Sequence, residues 1–149
     1  MASVDRAPLF VRASNVLTVA LARAGFRLAG FGRYPMYLVT VRGRKSGRPR
    51  TVLLVILERN RKRYLASPYG IVNWVLNLRA AGEATLTRGR RSEIVTAREL
   101  PKEEAALVLR DDVREGNPFA RYFGVTSESS LEDFERSAVG HPLFVLQRK

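Results

Sequence analysis

The sequence contains no cysteine among its 149 residues. That excludes disulfides, thiolate catalysis, Fe–S clusters and any zinc site with Cys ligands. It also fits a reducing compartment, and a cytoplasmic location is expected. Histidine occurs once, at His141, so no multi-His metal centre can form and no metal site is expected. Acidic residues are scarce: 14 stand against 26 Lys and Arg, a formal charge of +12. They lie mostly beyond Glu99, and no carboxylate pair suited to hydrolysis occurs. Long apolar runs are missing as well. The most apolar early stretch, Val16 to Leu21, is far too short to span a bilayer. Met1 to Pro8 carries Asp5 and Arg6 instead of the apolar run of a signal peptide.

What remains is a chain long enough for one domain, able to bury roughly 68–70% of its unfolded surface. The positive charge points to anionic partners: nucleic acid, an acidic lipid surface or an anionic cofactor. No nucleophile is paired with a base. That suits an enzyme whose cofactor carries the chemistry while the protein binds and orients it.

Apolar residues at Phe10, Ala13, Leu17, Ala20 and Leu21 follow helical steps, predicting an amphipathic helix over Leu9–Ala24. It either packs on the core or also touches a membrane surface peripherally. Met36–Arg42 reads as a strand, broken by Gly43 to Pro49. Arg50–Glu58, nearly continuous in Val, Leu and Ile, reads as a second strand buried on both faces. A charged turn over Arg59–Lys62 and a third strand over Arg63–Ser67 follow. A helix is expected over Ile71–Ala81, then a hairpin of Ala84–Arg88 and Ser92–Leu100. Pro101 opens another helix that runs to about Arg110. Asn117–Phe123 reads as a short aromatic helix or turn, and Ser129-x-x-Glu132 is a capping-box pattern that starts another short helix. Pro142–Gln147 closes the order as a strand. Successive strands with tight connections favour a mainly β, α+β fold: an antiparallel sheet closing into a small barrel decorated by helices. One domain over 1–149 is expected, with a helix and loop over 1–30 and the barrel core over 36–149.

Three segments have the residue types for chemistry. Gly43 to Arg50 places Arg44, Lys45, Arg48 and Arg50 within seven positions, framed by Gly43 and Gly47, with the Ser46 hydroxyl between them. Glycines let an anion approach the backbone, and Arg grips phosphate or carboxylate bidentately. The residues alone leave open an anion site or an exposed basic turn. Asn73, Trp74 and Asn77 offer amides and a broad ring, either for a ligand or as a core Trp with capping asparagines. Phe119, Tyr122 and Phe123 either wall a flat ring or belong to the core. A nucleic-acid reading would use Arg88, Arg90 and Arg91 together with the first loop.

The run Leu38-Val39-Thr40-Val41-Arg42-Gly43-Arg44-Lys45-Ser46-Gly47-Arg48-Pro49-Arg50, followed by Ser67 and then Trp74-x-x-Asn77-Leu78, resembles the signature of the deazaflavin-dependent nitroreductase family of actinobacteria. The likeness runs from about Tyr37 to Leu100 and more weakly to Leu146. It implies a split β-barrel of the flavin-reductase and pyridoxamine-phosphate-oxidase type. It implies coenzyme F420, an 8-hydroxy-5-deazaflavin whose phosphodiester and oligoglutamate tail are anionic. By position, Arg44, Lys45, Ser46 and Arg50 would contact phosphate and tail. Thr51, Val52, Leu53, Leu54 and Val55 would run along the ring. Leu65, Ala66, Ser67 and Pro68 would approach its reactive edge. Asn73, Trp74, Val75, Leu76 and Asn77 would complete the pocket. Ser67 and Tyr122 are the expected catalytic residues. The implied reaction is hydride transfer from reduced F420 to a small organic acceptor: a quinone, an activated alkene or a nitroaromatic. Relatives carry Ser-Lys-Gly-Gly where this chain has Ser67-Pro68-Tyr69-Gly70, so a tail-binding Lys is missing. An FMN-binding reductase of the same fold is the alternative, followed by a non-catalytic F420 or lipid carrier. Either a monomer or a homodimer is compatible with the fold.

Overall fold

A computed structural model describes residues 34–149; the helix expected over Leu9–Ala24, with any membrane contact through it, lies outside the described residues. β1 (Met36–Arg42) pairs antiparallel with β2 (Pro49–Val55) across the glycine-framed turn. β3 (Leu57–Arg59) and β4 (Lys62–Ala66) form a hairpin. Its two-residue turn, Asn60 and Arg61, has positive φ at both positions, the twist a tight hairpin needs. Helix α1 (Asn73–Ala81) ends at Gly82 and leads into the hairpin of β5 (Glu83–Arg88) and β6 (Arg91–Glu99). Helix α2 (Lys102–Arg114), a 3-10 turn (Ala120–Phe123), helix α3 (Leu131–Gly140) and β7 (Leu143–Arg148) complete the described order.

All seven strands lie in one antiparallel sheet, in the order β2-β1-β5-β6-β7-β4-β3. β2 and β3 stand at opposite edges, yet Ile56 alone separates them in sequence. Laid flat, six strand spacings of about 4.8 Å would hold those edges some 29 Å apart. Two residue steps reach only about 7 Å. The sheet therefore has to curl until its edges nearly meet, which is the barrel. Its interior holds Val39, Val41, Ile56, Leu65, Leu86, Val95, Phe144 and Leu146, against which α1 buries Val75 and Leu78. Alternation along β4 and β7 sends Tyr64, Leu143 and Val145 to the outer face, where α2 and α3 cover them.

Two expectations need correction. Arg50–Glu58 is not one strand buried on both faces. The Ile56 N–H leaves the ladder to bond the Pro35 carbonyl at 2.9 Å, which is the switch from one sheet edge to the other. β2 is an edge strand whose Thr51–Val55 are half-buried, because only one neighbour flanks it. The capping box sits one residue later than read: Ser130 Oγ accepts the Asp133 N–H at 3.1 Å, and Asp133 returns the bond to the Ser130 amide.

A charged cluster marks the interior face near the β5–β6 hairpin. Glu93 accepts from Arg63 on β4 and from Arg148 on β7, the latter at 2.8 Å. The Arg63 hydrogen bond holds the Glu93 carboxyl below its ordinary value against the opposing effect of burial. A carboxylate with a depressed folded pKa adds stability above its unfolded pKa, and that stability disappears as pH falls through the folded value. Glu93→Gln is therefore expected to flatten the acid limb of stability below the ordinary carboxylate range. Urea midpoints collected from pH 6 to pH 3 check this; parallel curves for the two proteins would refute it.

Candidate functional site

The β1–β2 turn folds on itself before it meets anything else. The Gly43 N–H donates to the Arg48 carbonyl at 2.8 Å, and the Gly47 N–H donates to the Gly43 carbonyl at 2.9 Å. Gly47 has φ +71, where a side chain is strained. A Cβ on Gly43 would lie 3.0 Å from Ser46 Oγ and 3.1 Å from the Arg48 carbonyl. Gly43→Val is thus expected to open the turn and weaken anion binding several-fold while the barrel still melts cooperatively, as thermal denaturation beside ligand titration would register.

Side chains leave this turn outward. Arg44, Lys45, Arg48 and Arg50 are exposed, and among the described residues none has an acidic partner. Several arginines elsewhere do have such partners: Arg59 pairs with Glu115, Arg79 with Glu99 and Arg63 with Glu93. Four cations close in sequence without acidic partners among the described residues have the chemistry to bind an anion. Ser46 Oγ accepts the Arg48 N–H at 3.1 Å, so it shapes the turn and keeps its own proton to offer.

Helix α1 meets the turn directly. Asn77 Oδ1 accepts both the Arg44 backbone N–H at 3.1 Å and an Arg44 guanidinium N–H at 2.8 Å. The two halves of the sequence signature are thereby joined through the Asn77 oxygen. Other expected lining residues turn inward. Leu65 and Val75 are fully buried in the barrel core, and Trp74 packs against Phe144 with centroids 6.2 Å apart. Val52 and Leu54 also pack on that core, which leaves Thr51, Leu53 and Val55 on the other face of β2.

Ser67 departs most from its expected role. It is fully buried, its N–H donates to the Pro142 carbonyl at 3.1 Å, and its hydroxyl donates to the Gly70 carbonyl. The hydroxyl closes the Ser67–Gly70 turn, so its proton is committed within the fold. What this turn presents instead is Tyr69, whose ring meets Tyr122 edge-on at 4.9 Å. Burial pushes the Tyr69 phenol above its ordinary value, the Tyr122 contact adds to this, and Arg121 works against it. Arg121 lies 4.7 Å from the centre of the Tyr122 ring and donates to Tyr122 Oη at 2.8 Å. Phe119 flanks Tyr122 at 6.5 Å, whereas Phe123 is core. The Tyr69–Tyr122 pairing had no sequence signal beyond two aromatics some fifty positions apart.

The hairpin arginines do not extend the basic turn. Pairing of Thr40 with Thr85 and Leu38 with Thr87 sets Arg88 at the Tyr37 end of β1, opposite Gly43. Arg88 rests over the Tyr37 ring at 5.6 Å. A single basic stripe for nucleic acid is therefore absent among the described residues. No group of His, Asp and Glu that could hold a metal occurs among the described residues, and no described helix is long and apolar enough to cross a membrane.

A curled antiparallel barrel with a glycine-framed basic turn is an architecture shared with the split-barrel reductases. The chain belongs to the F420H(2)-dependent quinone reductase family, whose model matches residues 15–129. It is an oxidoreductase, and its cofactor is F420. Among solved structures it is similar to an F420-H2 dependent reductase, FDR-A: 26% identity, TM-score 0.54, covering 76% of this chain and 94% of that one. A structure described as a domain-swapped dimer shares 24% identity, with TM-score 0.57 and coverage of 93% and 97%. A protein of unknown function from Agrobacterium tumefaciens shares the fold at 15% identity, TM-score 0.53, over 99% of this chain and 59% of that one. No curated protein matches the chain.

Proposed function

We propose that this protein passes hydride from F420H2 to a planar, electron-poor acceptor of the quinone type, with Tyr122 supplying the proton. The observation that carries this reading is the turn of Arg44, Lys45, Arg48 and Arg50, closed by its own backbone bonds and lacking acidic partners among the described residues. Its charge suits a phosphodiester and glutamate tail. When bound, the deazaflavin supplies hydride from a carbon centre and so favours two-electron chemistry.

Lys45, Arg48 and Arg50 hold the anionic end in this reading. The outward face of β2, at Thr51, Leu53 and Val55, and the backbone of Ala66 to Pro68 lie along the ring. Tyr69, Tyr122 and Phe119 flank the acceptor. Tyr122 Oη accepts from Arg121 and keeps its own O–H to donate. Ser67 is set aside as the donor because its hydroxyl is spent on Gly70. Pro68 stands where the Ser-Lys-Gly-Gly pattern has its Lys, and the next residue, Tyr69, joins the acceptor wall by meeting Tyr122.

Fluorescence titration of the purified protein with F420 is the test. Saturable binding at micromolar concentration supports the reading, and no binding below tens of micromolar overturns it. Tyr122→Phe is expected to lower turnover with a quinone acceptor about tenfold, water replacing the phenol in part, and to leave F420 affinity unchanged. Equal turnover by the two proteins would remove Tyr122 from the proton path.

A further inference from the structure

We propose that Asn77 sets cofactor affinity without touching the cofactor: it is a positioning residue that braces the anion-binding turn through Arg44. The proposal rests on the F420 reading above for its ligand and on the geometry alone for its brace. Asn77 is 7% exposed and sits between Val75 and Leu78, both fully buried against the barrel. Its carboxamide is thus held on the buried face of α1. One oxygen, Oδ1, takes two donors from the same residue, the Arg44 amide and the Arg44 guanidinium. Among the described residues, no other side-chain hydrogen bond connects the Gly43–Arg48 turn to the rest of the fold.

The turn's internal bonds, Gly43 to Arg48 and Gly47 to Gly43, define its shape but not its direction. Direction comes from the Arg44 tether. With Arg44 drawn toward α1, Lys45, Arg48 and Arg50 are left as the free cations. Arg44 spends one of its five side-chain donors on Asn77, which leaves four for other partners. Asparagine suits this role better than a shorter or apolar residue. Its oxygen carries two lone pairs, so it can receive backbone and side chain together.

Two measurements test the brace. The first compares binding of F420 with binding of its ribityl-deazaflavin fragment, which lacks phosphate and glutamates. Asn77→Ala is expected to weaken F420 about tenfold, the worth of one or two such bonds, and to change the fragment less than twofold. Asn77→Asp keeps the acceptor oxygens but sets a carboxylate against Arg44, so it is expected to hold the turn in place without restoring the F420 affinity. The second measurement is amide hydrogen exchange without ligand. Protection at Arg44 and Gly47 should fall in Asn77→Ala and return in Asn77→Asp. Should Asn77→Ala fold poorly, Asn77→Leu fills the same buried position without an acceptor and is expected to show the same ligand selectivity and the same loss of protection at Arg44.

Equal weakening of F420 and fragment would mean that Asn77 touches the ring or merely supports the fold, and would overturn the proposal. Unchanged amide protection would overturn it as well. If the unaltered protein bound neither ligand, the F420 reading would fall, while the exchange experiment would still decide the brace.

Discussion

Alanine at Lys45, Arg48 and Arg50 together is expected to weaken F420 binding by about a hundredfold. Hydrogen bonds to charged groups contribute roughly 1.5–3 kcal/mol each when desolvated. These side chains are exposed, so about 1 kcal/mol each is a fairer figure, and three of them give some 3 kcal/mol, near two decades in affinity. The fold should not notice. None of the three has an acidic partner among the described residues, and none contributes to a core cluster. The informative control is the triple variant of Arg88, Arg90 and Arg91, which removes the same formal charge at the far end of β1. If affinity followed net charge, both triple variants would lose alike. If it follows the turn, the control should stay within about twofold, since separations beyond roughly 10 Å are screened at 0.1 M salt. Titrations at two ionic strengths decide between these outcomes, and parity of the two variants would refute the turn as the anion site.

Some of this site was legible in the sequence and some was not, for separable reasons. The turn was legible because its requirement is local. Gly43 and Gly47 are demanded by close contacts and positive φ within a few residues, and the cations follow at once. Barrel closure was legible from strand spacing, but not the switch at Ile56. A continuous apolar run says nothing about which sheet edge its two halves join, and only the path of β2 and β3 to opposite edges divides it. Ser67 and Asn77 were found by position, without the partners the fold gives them. Each is polar, buried and satisfied within the fold, one by Gly70 and the other by Arg44. A one-dimensional pattern preserves such a residue equally well whether it faces a ligand or the protein. Tyr69 was the reverse case. It broke the family pattern locally, and its meaning came only from Tyr122 across the fold.

Asp112→Ala should be the most damaging single substitution away from the anion site. Asp112 is 1% exposed on α2, and its carboxylate accepts from Tyr34 Oη at 3.0 Å and from Asn117 Nδ2. Asn117 in turn accepts the Phe119 N–H at 2.7 Å through its own oxygen. One buried carboxylate therefore ties the segment before β1 to α2 and fixes the start of the turn that carries Phe119 and Tyr122. Truncation leaves at least the Tyr34 and Asn117 donors, among the described residues, without this acceptor, at about 1–3 kcal/mol each. A loss near 3 kcal/mol follows, which in a chain of this size lowers the melting temperature by on the order of 10 °C. Urea denaturation would measure it, and a midpoint within error of the unaltered protein would contradict the account. The function should fail in a particular order. The Tyr69–Tyr122 wall depends on the Asn117 turn, whereas the basic turn hangs from α1 through Asn77. At temperatures where Asp112→Ala remains folded, turnover of the acceptor is thus expected to fall before affinity for F420 does, because the two ends of the site are held by different parts of the fold.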